Sequence, residues 1–356
     1  TMAEILREAG YRTGATIGNH GYLGREFQLD QGFEHYDARR GSPPEWYRKA
    51  NVITDEAMRW LTNHEFQARP FFLFVNYMDP HHPYNPPPSA VAQFAPDLSA
   101  AQLTPREEAF FREMMMEVNV SQEPLDEDRA YWVTARYDGE IAAMDGQIGR
   151  LLAYMQATGL YDETLIIVTS DHGEGLGEHL SLGHCFRMHE PALAVPLIVK
   201  LPNRSAVGVR TARTSHVDIL PIVLDVLGLD RPQGLAGRTL DELDNAPPRE
   251  VFATKAYDHR MRSFPRPLNQ LQSVVYRDDL KFVEYPAAPP ELYDLDADPL
   301  ELTNLATERP EVVGDFAATL KNHRSASQRL YDLEAAFGED GEPAAGEDLR
   351  NLGYAQ

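Results

Sequence analysis

Residues 165–184 read LIIVTSDHGEGLGEHLSLGH, and the fold is decided there. Leu165, Ile166, Ile167 and Val168 have the β-branched bias and short length of a strand buried on both faces. The run stops abruptly at Thr169-Ser170-Asp171-His172-Gly173. Open α/β sheets bind ligands beyond the carboxyl ends of their strands, so this polar burst falls where such a fold does its chemistry. Asp171 offers a hard oxygen and His172 an imidazole nitrogen, while Gly173, Gly175 and Gly177 let the backbone pass close to whatever those two hold. An ordinary Asp-Gly turn is the plain alternative. Against it stand Glu174, Glu178, His179 and His184 in the same glycine-rich stretch, followed by a further apolar strand over residues 195–199.

Composition sets the frame around this stretch. A chain of 356 residues, 43% of them hydrophobic, can bury a large core and suits one big α/β unit plus a smaller one. The formal charge of −22 argues against nucleic acid or an anionic membrane as partner. It would also repel an anionic substrate unless a metal or local basic groups reverse the field at the site. No run of about 18 apolar residues exists to span a membrane. The single cysteine, Cys185, excludes an internal disulfide.

At the amino terminus, Thr1 and Glu4 form a capping-box pattern that opens a helix, as if the chain entered mid-domain. Residues 11–17 have strand character. Helical apolar spacing runs over residues 45–66 through Val52, Ala57, Trp60 and Leu61, and residues 71–75 predict a second buried strand. The end of that strand is chemically loaded as well, with His81 and His82 inside DPHHPYNPP. If it lies parallel to residues 165–168, both polar bursts open onto one sheet edge and His81 approaches Asp171 and His172. A proline-stiffened surface loop with incidental histidines is the other possibility. Residues 89–128 show no chemistry, and Met114-Met115-Met116 reads as core filler or a hydrophobic rim. From residue 128 to about 159, Tyr137, Ile141, Met144, Ile148, Leu151 and Met155 step by fours and threes, predicting a crossover helix whose carboxylates face solvent. Ser215 reads as the cap of a further helix, which makes His216 and Asp218 packing residues rather than ligands. Short alternating strands over residues 251–256, 271–277 and 280–285 predict a small antiparallel sheet. A helix over 310–337 and an acidic, Gly/Ala-rich segment over 338–348 follow.

SDHGEGLGEH, with its following Gly183-His184 and VPLIV, resembles the sulfatases of the alkaline phosphatase superfamily. PHHPYNPP matches that family's substrate-contacting histidine motif at His81, and residues 19–37, 136–149, 215–228 and 291–305 resemble further family segments. The resemblance implies an α/β fold, a mainly parallel sheet flanked by helices, over residues 1–245. A small antiparallel carboxyl-terminal subdomain with a helix and acidic tail would occupy residues 246–356. It implies Asp171 and His172 as ligands of one divalent metal ion, and His81 and His184 as the residues that contact the anion or protonate the departing oxygen. Oxygen-rich coordination with one imidazole puts Ca first, with Mn, Mg or Zn as alternatives. The family nucleophile, a formylglycine or hydroxyl in a Cys/Ser-x-Pro-x-Arg motif, and its paired aspartates are expected in a preceding segment. Neither Cys185-Phe186-Arg187-Met188-His189 nor Ser42-Pro43-Pro44 fits the motif. The activity implied is hydrolysis of a small-molecule or glycan sulfate ester, with this fragment inactive alone. Phosphonate or phosphate ester hydrolysis is the alternative, since His172 stands where many sulfatases have Asn. A non-catalytic binding protein on the same scaffold is the third reading. Cys185 replaces a common glycine, and no lysine lies between Asp171 and Val199, so none is assigned to the leaving group.

Overall fold

The computed structural model describes residues 1–41, 47–62, 69–97, 105–184, 186–204, 207–255 and 270–335. Ser42-Pro43-Pro44, Cys185 and the acidic segment 338–348 lie outside the described residues. So do both ends of the helix expected over 45–66, the last residues of that over 310–337, Ala256, and part of 89–128.

Three strands form a parallel sheet in the order β2-β1-β3: β1 (Arg12–Ile17), β2 (His35–Asp37) and β3 (Phe71–Asn76). The helix Met2–Glu8 leads into β1, and its capping box forms as the sequence predicts, with Thr1 Oγ1 accepting from the Glu4 amide. The helix Ala50–Thr62 lies against β1 so closely that a Cβ on Gly14 would come within 2.4 Å of the Trp60 ring. Only glycine allows that approach. The long helix Glu127–Ala157 closes the layer, packing Leu151 and Met155 onto Ala57, Trp60 and Leu61.

The strand at the head of the decisive stretch differs from its expectation. β4 (Ile166–Thr169) pairs antiparallel with β7 (Leu197–Lys200) in a two-stranded sheet, and a short hairpin, β5 (Gly175–Leu176) and β6 (Leu182–Gly183), lies between them in sequence. Neither β3 nor β4 is buried on both faces: Phe74 of β3 is 40% exposed, and β4 holds no fully buried residue and ends in the exposed Thr169. Full burial requires neighbours on both edges and helices on both faces. Among the described residues β3 pairs only with β1, and β4 only with β7.

The carboxyl-terminal sheet is antiparallel, ordered β11-β10-β9-β8: β8 (Val251–Lys255), β9 (Gln272–Arg277), β10 (Leu280–Glu284) and β11 (Glu291–Asp294). Val275, Phe282 and Leu292 face the helix Pro310–Ala335 through Phe316 and Leu320, each such burial contributing about 1.5–3 kcal/mol. Val274, Tyr276 and Val283 pack on Met188. Lys281, fully buried in β10, lies 3.0 Å from Glu190 and 2.7 Å from Glu301, which ties the sheet to the turn after the hairpin. Such a buried ammonium requires paired carboxylates. No described helix is long and apolar enough to cross a membrane.

Candidate functional site

The loops that follow β3 and β4 meet, and they meet through histidine. The rings of His81 and His82 stack at 4.4 Å, His81 lies 5.1 Å from His184, and His184 stacks on His172 at 4.0 Å. Three of these were singled out in the sequence, and the structure brings them together although β3 and β4 share no hydrogen bonds. His82 was not. Adjacent residues on a strand point to opposite faces, but here the chain turns, with the His81 amide donating to the Met78 carbonyl. Both rings therefore reach one side.

Each loop is held by its own chemistry. A Cβ on Gly173 would lie 2.1 Å from the Pro191 carbonyl oxygen, and its amide donates to Ala192 at 2.9 Å, so glycine is required where the SDHG loop crosses the 190 turn. His216 anchors the start of that loop through the Ser170 carbonyl, 2.7 Å away. Asp218 is fully buried, accepting from the amides of Ser215 and Arg238 and pairing with Arg249. The capping box at Ser215 forms as the sequence predicts and Asp218 is packed within it, whereas His216 stands exposed rather than packed. Asn119 holds the hairpin: its Oδ1 accepts from the Leu182 amide and its Nδ2 donates to the Leu182 carbonyl, imitating a neighbouring strand. Two residues later His184 emerges, its Nδ1 donating to the buried Glu174 carboxylate at 3.1 Å. Of the methionine stripe, Met114 is core, fully buried with Phe111, Val118 and Leu182, Met115 packs partly buried against that cluster, and Met116 is exposed at its rim.

Beneath the His81 turn lies a charged cluster that corrects one expectation. Glu140, assigned to a solvated helix face, is 1% exposed and accepts from the Asn85 amide at 2.7 Å and from Lys49 at 3.2 Å. Lys49 is also 3.7 Å from the buried Asp79, so one ammonium serves two buried carboxyls. Helical periodicity cannot register a lysine and an aspartate arriving from other elements. Burial pushes Glu140 up to about 8, the Asp79 charge adding to it and Lys49 opposing. Burial, then the rings of His184 and His172, pushes His81 down to about 3, against the His82 carbonyl and the Asp171 charge. His81 is thus neutral at neutral pH.

Asp171 and His172 stand apart in exposure. The Asp171 side chain is 85% and that of His172 39% exposed, with His172 Nε2 3.7 Å from Asp171 Oδ2. His172 Nδ1 faces the Gly173 carbonyl at 2.8 Å and must carry the proton there, which leaves the lone pair on Nε2, the nitrogen beside Asp171. A carboxylate oxygen and a neutral imidazole nitrogen at that spacing fit two ligands of a divalent cation.

The sulfatase family model matches residues 1–229, and the model for the N-sulphoglucosamine sulphohydrolase carboxyl-terminal region matches residues 177–327. A multifunctional alkaline phosphatase superfamily protein, PehA, of Trinickia caryophylli is 29% identical over 334 residues, which cover 81% of this chain and 64% of that protein. The choline-sulfatase of Rhizobium meliloti (strain 1021) is 28% identical over 390 residues, covering 94% and 72%. The chain thus spans somewhat less than two thirds of the length of PehA. Among solved structures, BT4656 in complex with its substrate D-glucosamine-2-N,6-O-disulfate superposes with a TM-score of 0.65 at 20% identity, covering 97% of this chain and 83% of that one. The phosphonate monoester hydrolase of Agrobacterium radiobacter gives 0.66 at 23%, covering 91% and 80%. At these identities the structural likeness shows the fold, while the family match over residues 1–229 shows kinship: the chain belongs to the sulfatase family.

Proposed function

We propose that these residues form the cation- and anion-binding part of a metal-dependent sulfate ester hydrolase. One observation carries this: the Asp171–His172 pair, 3.7 Å apart, adjoins His184, which in turn adjoins His81. Asp171 Oδ2 and His172 Nε2 would hold a divalent cation, Ca first and Mn, Mg or Zn next, which when bound stabilises charge on a non-bridging ester oxygen. The charge of an entering anion favours a second proton on His81, on Nε2, and from that nitrogen the ring donates to the anion while its Nδ1 stays on the His82 carbonyl. His184 protonates the departing oxygen, and Glu174 at its Nδ1 orients the ring and offsets the charge that changes there. No Cys/Ser-x-Pro-x-Arg motif lies in the 356 residues, so we assign them no nucleophile and expect no turnover of nitrophenyl sulfate by this chain alone. Calorimetric titration with sulfate is the test. Binding should strengthen with Ca²⁺ and fall in Asp171→Ala, His81→Ala and His184→Ala; affinity indifferent to the cation and to all three substitutions refutes the assignment. In any longer form that carries the nucleophile, His184→Ala should slow poor leaving groups more than nitrophenyl.

His172 favours one second reading, phosphonate or phosphate ester hydrolysis, because it stands where many sulfatases have Asn. Methylphosphonate binding more tightly than sulfate under the same conditions would support it over sulfate ester cleavage.

A further inference from the structure

We propose that His81, His82 and His184 form a binding site for a transition-metal cation of the zinc class, distinct from the Asp171–His172 pair. One ring nitrogen from each of the three lies within 4.8 Å of the others. Donors around a tetrahedral zinc sit about 3.3 Å apart, given metal–nitrogen distances of about 2.0–2.1 Å. Binding would have to draw the three rings together by that difference. Two of the three are already in the tautomer a metal needs. His81 Nδ1 donates to the His82 carbonyl at 2.6 Å and His184 Nδ1 to Glu174 at 3.1 Å, so each carries its lone pair on Nε2. The His184–Glu174 contact is also the outer-shell pairing that fixes metal-binding histidines and raises their basicity.

The ring geometry is built rather than incidental. His82 is stacked against Phe111 at 6.0 Å, His81 against His82, and His184 leaves a glycine, Gly183, whose φ of +95° sets the turn that aims it. His172, though stacked on His184, faces the Gly173 carbonyl with one nitrogen and Asp171 with the other, which assigns it to the neighbouring pair. The donor types separate the two sites. Three imidazoles with no oxygen select Zn²⁺, Co²⁺, Ni²⁺ or Cu²⁺, whereas Ca²⁺ and Mg²⁺ require oxygen ligands. The charges of Glu174 and Asp171 favour a cation here, and that of Arg112, beside His82, opposes it. The metal would take the same His81 and His184 Nε2 atoms that anion contact and proton donation use, so an occupied site excludes those roles; the site itself requires no catalytic activity.

Cobalt provides the test, because imidazole-bound Co²⁺ of low coordination absorbs visibly. Titrating the tag-free 356-residue chain should develop these bands with one equivalent, Zn²⁺ should erase them, and a large excess of Ca²⁺ should leave them intact. His82→Ala and His184→Ala should each abolish the bands, Glu174→Gln should weaken affinity about tenfold, and Asp171→Ala should not alter them. Should His82→Ala lose its circular dichroism, His82→Gln, of similar volume, replaces it, and the Ca²⁺ competition on the wild-type chain decides independently. Displacement by Ca²⁺, loss in Asp171→Ala, or bands that survive both histidine substitutions would overturn the site.

Discussion

Replacing Glu140 with Gln should change how stability depends on pH, and the structure fixes the sign. Burial holds the native Glu140 carboxyl well above its unfolded value of 4.5, so between the two values the native state holds a proton that the unfolded state has released. This contribution is complete below the unfolded value and is lost as pH rises through the folded one. One proton corresponds to at most about 1.4 kcal/mol per pH unit, which bounds the slope of the difference between the two proteins. The Gln side chain keeps an oxygen for the Asn85 amide and Lys49 but cannot ionise. His81 contributes the opposite slope, since its lowered pKa makes stability rise with pH up to its unfolded value of 6.5. That slope is common to both proteins and cancels in their difference. Urea unfolding followed by tryptophan fluorescence, at several pH values across the window, should show Glu140→Gln gaining on wild type as pH rises. Parallel stability curves for the two proteins would refute a buried, protonated Glu140.

Three other outcomes follow from the same geometry. Asn119→Ala should lower unfolding free energy by about 1–3 kcal/mol for each polar group of Leu182 left buried and unpaired, readable as a fall in urea midpoint at unchanged slope. Gly173→Ala, whose Cβ would lie 2.1 Å from the Pro191 oxygen, should cost sulfate affinity while far-UV circular dichroism stays near wild type; native affinity in that variant would mean the loop position is immaterial. Because His81 is neutral until an anion arrives, sulfate binding should take up a proton and strengthen as pH falls, by at most about tenfold per pH unit. Calorimetry in buffers of different ionisation enthalpy would reveal that uptake, and His81→Ala should remove it.

Local pattern was enough for much of this protein. The capping box at Thr1, the long helix through Leu151 and Met155, the antiparallel carboxyl-terminal strands, and the loading of Asp171, His172, His81 and His184 onto strand ends are all properties of neighbouring residues, set by periodicity and turn chemistry. What depends on distant residues was not legible. The pairing of β4 with β7 rather than β3 turns on which backbone edges meet, and hydrogen-bonding edges leave no mark in side-chain identity. His82 joins the histidine cluster only because the chain turns at that residue. Glu140 looks like any solvated helix carboxylate until Lys49 and Asp79, 91 and 61 positions away, close over it. Asn119 becomes a surrogate strand only when Leu182 arrives 63 residues later in the chain. Burial and charge are properties of a neighbourhood in space, so the residue types that can do chemistry are written in the chain, and their ionisation states and partners are set by its folding.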